Sequence, residues 1–133
     1  MKESKINIVD LLLAQDASKI RDLPTAQIRI PRLSDIIGAD FCLEIRALTG
    51  AEIESMPDGM EGIDRKILTA VKNFDFTDAQ LRGKFTPDGR CTPLTPTELI
   101  DVLLLAGEKI QIVRKINDLS GYTDDAVEVI RKN

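Results

Sequence analysis

Phe41-Cys42-Leu43-Glu44-Ile45-Arg46-Ala47-Leu48-Thr49-Gly50 is the stretch on which the architecture turns. Its apolar side chains fall on every second residue, at Phe41, Leu43, Ile45 and Ala47, while Cys42, Glu44 and Arg46 point the other way. That is the pattern of a half-buried strand. The period then changes at Thr49, where Thr49 and Glu52 make a capping-box pair and Ile53 and Met56 continue an apolar side at helical spacing. A strand hands over to a helix here.

Working toward the N-terminus, Ala26, Ile28 and Ile30 alternate with Gln27 and Arg29, which predicts a second amphipathic strand. Pro31 ends or bulges it and marks it as an edge strand. Ser34-Asp35-Ile36-Ile37-Gly38 reads as a short connection with Gly38 in the left-handed region, so the two strands form a β-hairpin. A lone hairpin is marginal in water, and its apolar face must rest on helices. Before the strands, Ile6 to Leu13 predicts a short helix presenting Ile8, Leu11 and Leu12. Asp16 to Ile20 opens a further turn, and Pro24 stops whatever precedes it.

Toward the C-terminus, Pro57-Asp58-Gly59 breaks the chain, and Ile63, Ile67, Val71 and Phe74 form one stripe at helical spacing. Thr77 with Gln80 opens a short helix carrying Leu81. The segment from Phe85 to Leu94 holds two prolines and Asp88-Gly89 and is a loop. Thr95-Pro96-Thr97-Glu98 combines an N-cap, proline at the first helical position and an acid three residues on. The helix it starts, through Leu99, Ile100, Val102, Leu103 and Leu104, is apolar nearly all round and is expected at the centre. Gly107 punctuates it. Ile110, Val113, Ile116 and Leu119 make the next stripe, Gly121 caps it, and Thr123-Asp124-Asp125 starts a last short helix with Val127 and Ile130. The expectation is an α+β, mainly α fold: one N-terminal β-hairpin packed on a bundle of five or six short helices. The whole, residues 1–133, is one domain, with 1–5 and 131–133 frayed.

A chain of 133 residues buries about two-thirds of its unfolded surface, enough for a core without disulfide or metal. With four aromatic residues in every hundred and no Trp, that core is built from Leu, Ile and Val. The net charge of −4 is spread along the chain, which argues against a nucleic-acid partner. Its apolar runs are too short to span a membrane. Cys42 and Cys91, without CxxC spacing, read as free thiols of a reducing compartment. The expected setting is soluble and intracellular.

The chain contains no histidine, which removes Ser-His-Asp and Cys-His catalysis and His-ligated metals together. Asp58, Glu61 and Asp64 lack the spacing of a calcium loop and read as a polar helix-opening turn. Gly83-Lys84 lacks the glycine and hydroxyl of a phosphate loop, and Cys91 has no neighbour in sequence to activate it. No catalytic residue, metal ligand or cofactor is expected. Leu105, Ile112 and Val129 are apolar positions lying off the main stripes, and either extend the core or meet a partner.

The order of these pieces resembles the XkdN-like phage tail assembly chaperones. The likeness is carried by the Leu-rich helix before Pro24, the strands Gln27-Ile28-Arg29-Ile30 and Phe41 to Arg46, and Ala47-Leu48-Thr49-Gly50. It continues through Leu103-Leu104-Leu105-Ala106-Gly107-Glu108, where the family often has Pro before the Gly, into Ile116-Asn117-Asp118-Leu119-Ser120-Gly121-Tyr122. The resemblance implies a non-catalytic protein of the bacterial host cytoplasm, absent from the mature virion. Such a protein binds the long helical tape-measure protein and keeps it soluble until tube subunits assemble around it. It further implies a frameshifted longer form of the same chain and the tail tube protein as additional partners. The alternative from another class is a structural tail protein, a tube or adaptor subunit, which would be richer in strand.

Overall fold

The computed structural model describes residues 7–131. The fraying expected at 1–5 and 132–133 lies outside them, as does Ile6 at the start of the first expected helix; Arg131 is exposed and without regular structure. Helix α1 (Ile8–Leu13) and helix α2 (Ala17–Arg21) come first. Asn7 and Asp16 cap them by accepting hydrogen bonds from the Val9 and Ser18 amides at 2.9 and 3.1 Å.

Strand β1 (Thr25–Arg29) pairs antiparallel with β2 (Cys42–Arg46), with Ala26 opposite Ile45 and Ile28 opposite Leu43. The expected alternation holds: Leu43 and Ile45 are buried and Thr25, Gln27 and Arg29 exposed. The connection differs. Residues 31–37 form helix α3 (Pro31–Ile37), with Pro31 in its first turn and Gly38 at φ 73° closing it. The strand pair is therefore joined through a helix and not by a turn. Buried Ser34 ties this helix to the sheet, its Oγ donating to the Ile30 carbonyl at 2.9 Å and accepting from the Phe41 amide at 2.8 Å.

Helix α4 (Gly50–Glu54) starts at the predicted capping box of Thr49 and Glu52. Helix α5 (Gly59–Ala70) follows the Pro57 break and ends one residue before Val71. The stripe of Ile63 and Ile67 does not run on through Val71 and Phe74 as a helix. Instead Val71 bridges to Ile45, the Lys72 amide donates to the Glu44 carbonyl at 2.7 Å, and Asn73 bonds the Glu44 amide and Cys42 carbonyl. The open side of β2 captured that segment, because a backbone row in want of partners outweighs one more helical turn.

Helix α6 (Ala79–Lys84) is capped by Asp78, whose carboxylate accepts from the Leu81 amide, rather than by Thr77. Helix α7 (Pro96–Leu103) opens on the Thr95–Glu98 capping box. It buries Leu99 and Ile100 but leaves Val102 exposed, so it is a core helix with one open side. The break before helix α8 (Ala106–Leu119) falls at Leu104 and Leu105, both extended, and Gly107 lies within the first turn of α8. After α8 the Gly121 amide donates to the Asp118 carbonyl and the Tyr122 amide to that of Asn117, with Gly121 at φ 92°. This is a Schellman ending, as predicted. The expected last helix is absent. Thr123 to Arg131 has only turns and bends, because a short segment whose Val127, Val129 and Ile130 dock on nothing and stay exposed cannot repay helix nucleation. The described residues thus hold eight helices, not five or six.

The core lies where α5, α7 and α8 meet the inner face of the sheet: Leu43, Ile45, Ile67, Leu99, Ile100 and Ile116 are its largest fully buried side chains. Each is worth about 1.5–3 kcal/mol relative to exposure.

The capping glutamates of α4 and α7 also carry arginine. Arg46 grips Glu52 with bonds of 2.9 and 2.7 Å, and Arg90 grips Glu98 at 2.6 and 2.7 Å. Hydrogen bonds from the arginines first, then from the Thr49 and Thr95 amides, pull both carboxyls from the usual 4.5 to about 2. A depressed folded value contributes stability that is complete above the unfolded value and drains as pH falls toward the folded one. Between pH 4.5 and 2 the wild type is therefore expected to lose stability more steeply than Glu52→Gln. That variant should be about 1–2 kcal/mol less stable at neutral pH, given the partly solvated pair. Urea titrations at stepped pH measure both.

Candidate partner-binding surface

Helix α3 is held to the elbow between α7 and α8 by one side chain. Arg32 donates from Nη2 to the Leu103 carbonyl at 2.7 Å and to Glu108 Oε1 at 2.9 Å, and from Nε to Glu108 Oε2 at 3.1 Å. Glu108 Oε1 also accepts from the Leu105 amide at 2.8 Å, capping α8. The bond from Arg32 holds the Glu108 carboxyl below its ordinary value, so the pair stays charged and closed at neutral pH. The last carbonyl of α7, at Leu103, and the amide of Leu105, the cap residue of α8, are both satisfied through this link.

Fixing α3 there leaves an apolar groove of about 330 Å³. Leu33, Ile36 and Ile37 of α3 line one side, Val102 and Leu103 of α7 another, and Phe41, Phe74, Leu81 and Phe85 the remainder. Phe41 and Phe74 tilt against each other with ring centroids 5.8 Å apart, which stiffens that wall. Ile36, Ile37 and Val102 are exposed large apolar residues. Outside the groove, α1 forms where the sequence predicts a helix, but it buries none of its side chains and leaves Ile8, Leu11 and Leu12 exposed.

The three sequence-derived partner positions separate. Leu105 is 56% exposed, at the elbow three residues after Val102, and Val129 is 74% exposed in the C-terminal segment. Ile112 is 3% exposed and belongs to the core with Val113 and Ile116. For Ile112 the core alternative is the one realised, since the buried side of α8 is Lys109, Ile112, Val113 and Ile116, while Ile110 is exposed. The groove itself was not legible: its walls come from α3, read as a connection, and from phenylalanines in three separate segments.

Charged groups are arranged for structure. Asp64, expected in a polar helix-opening turn, is buried and accepts from Lys109 Nζ at 3.0 Å, and Lys109 also pairs with Asp101. Among the described residues no group of three His, Cys, Asp or Glu is placed to hold a metal ion, and no helix is long and apolar enough to cross a membrane. Cys42 is half-buried and Cys91 exposed, both as free thiols.

A family model described as phage XkdN-like tail assembly chaperone protein matches residues 57–132, more than half of the chain. The match runs from the turn before α5 through the C-terminal segment, with the strand pair outside it. Neither a curated protein nor a solved structure matches.

Proposed function

Because the chain belongs to the phage XkdN-like tail assembly chaperones, with a role in phage tail assembly, we propose that it binds the tape-measure protein and keeps it soluble in the host cytoplasm. In this reading it acts without catalysis and leaves before the virion is complete. The observation that carries the reading is the apolar groove between α3 and α7, continued at the elbow by exposed Leu105. An amphipathic client helix laid in such a groove buries its anchors at helical spacing. The chaperone's net charge of −4 keeps the complex from collapsing on its neighbours. Val129, exposed on the C-terminal segment, is a second contact for the client. A frameshifted longer form of the chain and the tail tube protein are further partners in the same scheme.

Co-expression tests this directly. A tape-measure segment that is insoluble alone is expected in the soluble fraction with the wild-type chain and in the pellet with Val102→Asp/Leu105→Asp. Both positions are exposed, so the thermal melt of the variant should match wild type. A segment equally insoluble with and without the chaperone would overturn the reading. Mass spectrometry of purified particles is expected to find tube protein and not this chain.

A further inference from the structure

The sheet has one closed and one open side. Along β2 the outward amide and carbonyl of Glu44 and the Cys42 carbonyl are taken up by Lys72 and Asn73, beside the bridge from Val71 to Ile45. Along β1 the outward groups are not taken up. The Ile30 amide donates to the Phe41 carbonyl at 3.0 Å and the Ala47 amide to the Pro24 carbonyl at 2.9 Å, so the even-numbered residues of β1 face β2. The peptide groups of Thr25, Gln27 and Arg29 therefore point outward. Among the described residues they make no backbone hydrogen bond on that side. Natural edges are usually blunted by lysine, proline or a bulge; here the prolines stand outside the strand, at 24 and 31.

The geometry points to this edge as the seat of a second copy of the same chain, β1 against β1 in antiparallel register about a two-fold axis at Gln27. In that register Gln27 meets Gln27 of the second copy and Thr25 meets its Arg29. All three pairings are between residues with outward peptide groups, giving about six hydrogen bonds. Every opposed pair is free of like charge: the one cation of the strand faces a threonine, and the axis carries a neutral amide. On the core face Ala26 comes opposite Ile28 of the second copy, both half-buried in one chain. A shallow groove of about 120 Å³ between Ile28–Pro31 and α8 flanks the same edge and leaves apolar surface for that pair to cover.

The assembly closes at two. Each chain has its β2 side occupied, so the joined sheet runs β2–β1–β1–β2 with no edge left for a third copy. Pro31, an outward position with no amide hydrogen and the first residue of α3, ends the seam after the five residues of β1. No client is needed, so the inference stands apart from tape-measure binding.

Sedimentation of the purified chain alone tests it. The 14.7 kDa chain is expected to shift from monomer to dimer mass, and no further, between about 1 and 200 µM, the range of a small interface. Gln27→Lys sets two ammonium groups face to face on the axis and should weaken the dimer by at least about tenfold. Its melt should stay unchanged, because the Gln27 side chain is exposed. Hydrogen exchange gives the second reading: the Thr25, Gln27 and Arg29 amides should gain protection with concentration in wild type and not in the variant. Monomer mass at about 200 µM, or a dimer indifferent to Gln27→Lys with these amides exchanging freely, overturns the inference.

Discussion

Lys109→Ala is expected to cost about 3–5 kcal/mol of folding stability. The Lys109 side chain is 6% exposed, as is that of its partner Asp64 on α5, while Asp101 on α7 is 54% exposed. One ammonium thus holds together the three helices that build the core. Removing it leaves the Asp64 carboxylate buried with no counter-charge, which is where the large figure comes from. Asp101→Asn, whose carboxylate is half in water, should cost about 1 kcal/mol or less. The double change Lys109→Met/Asp64→Leu replaces the buried pair by apolar volume and should recover most of the loss. Urea unfolding of the four proteins decides it; equal losses in the first single variant and the double would show that packing, not charge, is at stake. The pH dependence has a definite sign. Burial works against charging of Lys109, but the hydrogen bonds and charges of Asp101 and Asp64 together outweigh it and raise its pKa. Its contribution is then complete below the unfolded lysine value of about 10.4 and is lost only as pH rises through the folded one. The wild type should lose stability in strong alkali more steeply than Lys109→Ala.

The same triad explains one misreading of the sequence. The spacing alone puts the stripe of α8 at Ile110, Val113, Ile116 and Leu119, of which Val113 and Ile116 are buried and Ile110 is exposed. The buried side includes Lys109 and Ile112 instead, and only residues 64 and 101 make that tolerable. Nothing within α8 announces it. Features set by near neighbours were legible: the boxes at Thr49 and Thr95, the alternation of both strands, the ending at Gly121. Those decided by distant segments were not. Val71 leaves helical geometry to meet Ile45, and the Thr123–Ile130 segment finds no face to dock on. Helix α3 is an intermediate case. Proline in its first turn and a left-handed glycine after its end are a helix signal, obscured by a length of 7 residues that is short for a periodic pattern. Because α3 supplies a wall of the groove, missing it meant missing the candidate site.

Gly62→Ala should cost about 2–4 kcal/mol, although it adds a single methyl group to a helix, where alanine is ordinarily the better residue. A Cβ at Gly62 would stand 1.9 Å from the Pro57 carbonyl oxygen and 3.0 Å from its carbon. Both are backbone atoms of the turn that joins α4 to α5, so no side-chain rotation relieves the overlap. The turn must open or α5 must shift, and α5 carries Asp64 and Ile67 into the core. Gly83 supplies the control. It too lies within a helix, with nothing within 4 Å of its would-be Cβ, so Gly83→Ala should stabilise by about 0.5–1 kcal/mol. Thermal melts read the two in opposite directions, at about 3–5 °C per kcal/mol for a domain of this size. A Gly62→Ala protein melting with or above wild type would mean that Pro57 does not press on α5 in solution. The α4–α5 turn would then be free of the contact that now fixes how α5 enters the core.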